Sequence, residues 1–222
     1  MKQPKRKSDR FPSALRVTAV VILCFFVLTV VFMFTIHAFL AQTSPVHGEY
    51  LVVEGWLPDY ALEEALQKFR TDGYRMMITS GEPLSRGFAL AEYKTHAEFA
   101  RAIPIRMGGG ADSIIAVPSP AVAMDRTYAA AIAVTEWFDR QGGRPSSLDV
   151  FSHGAHSRRS GILFQRALGD SVRVGVFSGA DRTYDGNRWW KTSRGFQDVV
   201  METIGLTYAC VLPPDRPGER ER

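Results

Sequence analysis

Short apolar runs alternate along this chain with segments in which apolar residues recur every three or four positions. The runs Leu51–Val53, Met76–Thr79, Ser113–Val117, Leu148–Phe151 and Val172–Phe177 read as strands. Each ends at small or polar residues: Glu54-Gly55, Ser80-Gly81-Glu82, Pro118-Ser119, Ser152-His153 and Ser178-Gly179. Between them, helical spacing predicts Asp59–Arg70, with Leu62, Ala65, Leu66 and Phe69 inward and Gly73 as its stop. It also predicts Phe88–Ile103, ended by Pro104, and Asp125–Arg140, with Ile132, Ala133 and Trp137 inward. A fourth helix should open at His156, and a last one should run over Ser193–Ala209.

Five strand–helix alternations predict an α/β, Rossmann-like fold: a mainly parallel five-stranded sheet with helices on both faces. In such sheets ligands bind outside the carboxyl ends of the strands. Tight turns alone account for the Gly and Ser residues there. They do not account for Glu54, Glu82, His153, His156 and Arg159 gathering at one edge.

A different pattern precedes the alternation. Val17–Ile36 is 20 residues without a charge. At about 1.5 Å per residue it spans roughly 30 Å, a bilayer's hydrocarbon thickness. It is apolar all round, unlike a soluble helix with one buried face. A cleaved signal peptide is the alternative, but the apolar run is longer than an h-region of about 7–15 residues. Phe39 also occupies the −3 position of the best cleavage site, after Ala41. The organisation expected is a basic cytoplasmic head (1–16), a transmembrane signal-anchor (17–40), a linker (41–49), an α/β domain (50–210) and a disordered tail (211–222).

Charge refines this reading. The net charge of +4 and pI near 9.2 suggest nucleic acid only until the charges are located. The first 16 residues hold six bases and one acid, and the remaining 206 hold 21 bases and 22 acids. The basicity is a membrane-flanking head, and no nucleic-acid footprint remains. The positive-inside rule places the head in the cytoplasm and the domain outside it. The two cysteines, Cys24 and Cys210, cannot form a disulfide framework, and Cys210 reads as a small core residue.

The chemistry concentrates in Leu148–Arg166, a strand, a Ser-His-Gly turn and a helix opening with His156, Arg158 and Arg159. His156 and Arg159 are three apart and share a helix face, whereas Arg158 points elsewhere. That pair suits a phosphate or carboxylate clamp, with His156 able to move a proton. His153 is a turn residue or a ligand contact. Glu54 and Glu82 are candidate general bases or oxygen ligands for a divalent cation, or simply exposed turn acids. Thr127 stands at a helix start with Asp125 as cap. Trp189 and Trp190, beside Arg188 and Lys191, suit a membrane surface or a sugar face, or a lid or core contact. No zinc-ligand spacing, G-x-S-x-G elbow, phosphate loop or dinucleotide fingerprint is present.

The order of an apolar strand, SGE, a helix with an acid, an S…T…A segment and SHxxHxxR resembles the SanA/ElyC/YdcF-like domain family of bacterial envelope proteins. The resemblance covers Glu49 to Tyr208. Ser80 and Gly81 match the family's SGG turn, with Glu82 at its second glycine, and Glu92 stands for the helix acid. Thr127 matches the Thr of Thr-x-x-Asn, with Ala130 at the asparagine. His156 and Arg159 match H-x-x-R, with Ser160 at the following alanine. Glu54-Gly55 stands where a Gly-Gly pair is usual. The resemblance implies a role in cell-envelope biogenesis or maintenance and no settled reaction. The expected ligand is an anionic envelope molecule, phosphorylated or a lipid-linked glycan, bound or processed at the strand ends. His156, Arg159 and Glu82 are the candidate catalytic residues. Glu54, Gly55, Ser80, Gly81, Ser119, Thr127, Ser152 and His153 are the candidate binding residues. The sequence implies no particular cofactor, and a non-catalytic binding or regulatory factor using the same crevice is the competing class.

Overall fold

In a computed structural model, which describes residues 13–85 and 88–212, the strands are β1 (Tyr50–Glu54), β2 (Met76–Gly81), β3 (Ile114–Pro118), β4 (Ser147–His153) and β5 (Arg173–Gly179). They form one all-parallel sheet in the order β3-β2-β1-β4-β5. Of the expected head (1–16) and tail (211–222), residues 1–12 and 213–222 lie outside the described residues. The helices are α1 (Ser13–Leu40), α2 (Asp59–Thr71), α3 (His96–Arg106), α4 (Arg126–Arg140), α5 (Ser157–Leu168) and α6 (Ser193–Val211).

Strand periodicity divides the core into two layers. Val52, Ile78, Val117 and Val150 face α4 and α5, meeting Ala131, Val134, Phe138, Leu163, Phe164 and Leu168. Leu51, Val53, Met77, Ile114 and Phe151 face α2 and α3, meeting Leu62, Ala65, Leu66 and Ala100. Helices thus cover both faces, as the alternation requires. The inward face of α4 is Ala131, Val134 and Phe138; the expected Ile132 and Trp137 are only partly buried. The chain runs outward from β1 to β3, then crosses to β4. The switch point therefore falls between β1 and β4, whose carboxyl ends carry Glu54 and His153.

Three expectations are corrected. The helix predicted over Phe88–Ile103 begins at His96, because Thr95 and Glu98 form a reciprocal capping box. Lys94 folds back onto the carbonyls of Phe88 (3.0 Å) and Ala91 (2.8 Å), closing that segment as a turn. Pro104 sits inside the last turn of α3, and the helix ends two residues later. Cys210 is exposed, and its neighbour Ala209 takes the buried position.

The helix Ala14–Leu40 is long and apolar enough to cross a membrane. The chain divides into two compact units between Ile36 and His37. In the second unit the linker is pinned rather than loose. Ser44 pairs with Val176, and buried Asp149 accepts the amides of Val46 (2.7 Å) and Gly48 (2.9 Å) and the hydroxyl of Tyr74 (2.8 Å). Gly175 leaves the room for this, since a Cβ there would lie 2.0 Å from Asp149 Oδ1.

Removing a buried acceptor strands its donors, each charge-assisted bond contributing about 1.5–3 kcal/mol. Asp149→Ala should therefore destabilise the protein by at least about 3 kcal/mol. Urea unfolding of the full chain followed by tryptophan emission measures this, and a loss below about 1 kcal/mol contradicts the pinning role.

Candidate functional site

Beyond the carboxyl ends of β1 and β2, a cavity of about 540 Å³ opens between the starts of α4 and α5 and the middle of α6. Glu54, Ser80, Gly81 and Glu82 line it from the sheet, Thr127 and Arg126 from α4, His156 and Arg159 from α5, and Glu202 from α6. Trp56, 45% exposed, forms part of the wall.

Local structure explains how these side chains arrive. β4 ends at His153 and tightens through a 3-10 turn, Gly154–His156, before α5 begins. The turn places His156 and Arg159 on one side, toward the cavity. Arg158 departs to the opposite side, stacking its guanidinium 3.9 Å from the Phe39 ring centroid. β1 turns sharply at Gly55, whose amide donates to the Ser80 carbonyl at 2.6 Å. A Cβ at Gly55 would lie 2.6 Å from the His96 carbonyl oxygen, and one at Gly81 would lie 2.8 Å from His96 Cβ. The two glycines let the start of α3 close against the strand ends.

His156 is held between two carboxylates. Its Nδ1 lies 2.9 Å from Glu202 Oε1, and its Nε2 lies 3.5 Å from Glu54 Oε1 and 3.3 Å from Thr127 Oγ1. Arg159 donates from Nε to Glu202 Oε2 (2.8 Å) and from Nη2 to Glu202 Oε1 (3.0 Å). Its Nη2 also lies 2.9 Å from His156 Nδ1, but both groups are donors when the imidazole is charged. That contact is two donors converging on Glu202, not a bond between them. Gly205 supplies the space, because a Cβ there would lie 3.1 Å from Arg159 Nε. Behind Glu54, Ser160 donates its hydroxyl to the carboxylate at 3.1 Å, and Ser152, 3.2 Å away, in turn supports Ser160.

Burial opposes the charge on His156, but Glu54 and Glu202 outweigh it and raise the imidazole to about 9. Burial likewise opposes ionisation of Glu202, yet His156 and Arg159 pull it down to about 2. Glu54 is also lowered against its burial, by the His156 charge and the surrounding hydrogen bonds. At neutral pH the core of the site is two cations against two carboxylates, with one long-range proton, on Nε2, shared between Glu54 and Thr127.

Further out, Arg126 pairs with Glu82 at 3.0 Å, the arginine side chain 68% exposed. Asp125 occupies the N-cap position of α4 in a left-handed conformation (φ 57°) and makes no capping hydrogen bond. This corrects its expected capping role and leaves the first-turn amides of α4 uncapped beside the cavity.

The expected binding residues divide. Glu54, Ser80, Gly81 and Thr127 line the cavity with the expected catalytic residues His156, Arg159 and Glu82. Gly55, Ser119, Ser152 and His153 do not. Gly55 is packed under His96, Ser119 is buried, and Ser152 lies behind Ser160. His153 instead meets Tyr60 Oη at 3.0 Å and Asp181 Oδ2 at 3.6 Å, and burial lowers its pKa. Glu54 is not an exposed turn acid: it is 3% exposed. Among the described residues no group of three or more His, Cys, Asp or Glu side chains is placed to hold a metal ion. Sequence reasoning missed Glu202, Trp56 and Arg126. Glu202 had a signal, since it shares a helical stripe with buried Val199, Leu206 and Ala209.

Comparison with protein-family models and with curated proteins returned no match for this chain.

The raised His156 and lowered Glu202 values fix the pH response. A raised imidazole contributes stability that is complete below its ordinary pKa of about 6.5 and is lost as pH rises through about 9. A lowered carboxylate contributes stability present above its ordinary range and lost as pH falls toward about 2. The protein's Tm should therefore decline between pH 6.5 and 9, and His156→Gln should flatten that decline. A Tm profile unchanged by the substitution contradicts the charged pair. Glu202→Gln should move the His156 titration downward in an NMR pH series.

Proposed function

We propose that this chain is a membrane-anchored, extracytoplasmic α/β protein of cell-envelope biogenesis or maintenance. Its crevice binds or processes an anionic envelope intermediate, phosphorylated or carried on a lipid-linked glycan. The observation that carries this reading is the cavity at the switch point, where a charged imidazole and the uncapped start of a 15-residue helix share one wall. The anion would sit against the α4 amides and displace Glu82 from Arg126. His156 is then the proton donor through Nε2, Glu54 fixes and recharges it, and Arg159 holds Glu202 in place. The fork of Arg159 is committed to Glu202, so it acts by positioning rather than as the primary anion clamp. The basic head before Val17 supports a cytoplasmic N-terminus. The resemblance to the SanA/ElyC/YdcF-like family supports the envelope role.

One observation favours a non-catalytic envelope binding factor. Every cation of the inner site is already paired with a carboxylate, and the two hydroxyls lining the cavity are not set up as nucleophiles: Ser80 Oγ donates to the Ala130 carbonyl at 3.3 Å, and Thr127 Oγ1 faces the charged imidazole of His156. The experiment that decides is incubation of the full chain in nanodiscs with polyprenyl phosphate and a polyprenyl-diphosphate-linked sugar. Product formation abolished by His156→Ala supports the catalytic reading. Saturable binding, weakened roughly tenfold by Arg126→Glu, with no product over long incubation supports the binding factor. Absence of both binding and product overturns the proposal. Orientation has its own measurement: a reporter fused after Arg222 should be active only outside the cytoplasm, and cytoplasmic activity reverses the topology.

A further inference from the structure

The mouth of the cavity carries a mismatch that narrows what it takes. Two carboxylates, Glu82 and Asp125, line it beside Arg126. Arg126 donates to Glu82 at 3.0 Å, and the Asp125 side chain makes no capping bond to α4. An anion that takes Arg126 and the α4 amides leaves the Glu82 carboxylate without that donor. The Glu82 side chain is only 17% exposed, so water restores the lost bond only in part. A bare phosphate does not restore it: its oxygens are mostly acceptors, and its charge repels both carboxylates. The mouth fits a ligand that brings an anion and hydroxyl donors together.

Another part of the wall is apolar and flat. Trp56 stands perpendicular to two imidazoles, with 5.1 Å between centroids to the His156 ring and 6.4 Å to the His153 ring. Those imidazoles lie at the end of β4 and in the turn after it, so the indole is held as a fixed surface. Met124, 59% exposed, adds apolar area to the same cavity. The C–H face of a pyranose buries against an indole by the hydrophobic effect, while the hydroxyls around its edge stay able to donate. Volume then sets the size. The cavity's 540 Å³ equals roughly eighteen waters at about 30 Å³ each, enough for a hexose phosphate of about 16 non-hydrogen atoms and too little for a polyprenyl chain of tens of carbons.

We infer that the unit recognised here is a glycosyl phosphate: the pyranose lies on Trp56, its hydroxyls donate to Glu82 and Asp125, and its phosphate takes Arg126 and the α4 amides. Glu82 and Trp56 are then the residues that set specificity for the sugar, and any polyprenyl chain stays outside the cavity. The inference rests on reading the crevice as an anion site. A soluble sugar phosphate and the headgroup of a lipid-linked sugar present the same chemistry to it.

The test is isothermal titration of the full chain in nanodiscs with inorganic phosphate, glucose 1-phosphate, N-acetylglucosamine 1-phosphate and uridine 5′-phosphate. At least one sugar phosphate should bind about tenfold or more tightly than inorganic phosphate. Trp56→Ala should cut that ratio to about threefold or less. Trp56→Leu keeps an apolar contact without the flat face, should lower the ratio too, and covers the case in which Trp56→Ala does not fold. Glu82→Ala should move the two ligands in opposite directions: inorganic phosphate gains up to about fivefold as Arg126 is released, while the sugar's advantage shrinks. Phosphate binding with no advantage for either sugar overturns the inference and leaves the anion site standing. Tighter binding of uridine 5′-phosphate than of either sugar phosphate, or a sugar advantage unchanged in all three variants, also overturns it. No binding of any anion overturns the anion-site reading itself. A polyprenyl-phosphate-linked glucose in the nanodisc separates the two sources, both of which support the inference: displacement of the soluble sugar phosphate assigns the lipid-linked one, and no displacement the soluble one.

Discussion

A charged imidazole is held inside this protein because two carboxylates from distant parts of the chain meet its ring. Glu54 arrives at the end of β1, Glu202 from α6, and His156 from the turn between β4 and α5. Each member would be costly alone, since a buried unpaired charge is destabilising. Together with Arg159 they form a neutral quartet whose lone pairs and protons are nearly all engaged. The same contacts that make the site chemically distinct also fix α5 and α6 against the sheet. Gly205, Ser160 and Ser152 are understandable only as parts of that arrangement: one leaves room for a guanidinium, and the others hold a carboxylate from behind.

The sheet order explains why these groups meet. After β3 the chain must cross beneath the first half of the sheet to add β4 beside β1. The helices leaving the neighbouring strands β1 and β4 therefore lie on opposite faces, and a gap opens beyond the ends of those strands. Gly55 and Gly81 let α3 approach one side of that gap closely, while the uncapped start of α4 lies on the other. The cavity is thus a consequence of topology, and its chemistry is a consequence of which side chains fill it.

Much of this was legible in the chain because periodicity is a strong signal. All five strands and the general course of the helices follow from it, as does the pairing of His156 with Arg159 on one helical face. What escaped was of two kinds. The start of α3 was placed too early, although Thr95 and Glu98 have the spacing of a capping box; alanine and tyrosine positions upstream imitated a continuing stripe. The other misses were acids in core-facing places. Asp149 interrupts an apolar strand, and Glu202 stands in a buried helical stripe. Both look like breaks in a hydrophobic pattern until the tertiary partner is known. A buried acid at such a position needs donors from elsewhere. Its presence announces an interaction without naming the other side. His153 and Ser119 misled in the opposite direction: nearness to a strand end places a residue at the right level of the fold, but the neighbouring loop decides whether it faces the cavity.

The two tiers of charge in the cavity assign different tasks to outwardly similar ion pairs. The inner quartet is buried and mutually satisfied, so a ligand that pulled Arg159 from Glu202 would leave a carboxylate stranded beside His156. The outer pair, Arg126 with Glu82, includes a largely exposed arginine. Such a pair is worth at most about 1 kcal/mol in water. It can be exchanged for a ligand anion at little cost, and the adjacent α4 amides favour that exchange. Under the proposed function, ligand selection belongs at the mouth, with Arg126 and the start of α4, and proton control at the base, with His156. A ligand carrying its negative charge at the mouth would present its next bond to Nε2, the one proton in the quartet whose partners stand at 3.3 and 3.5 Å rather than in close contact.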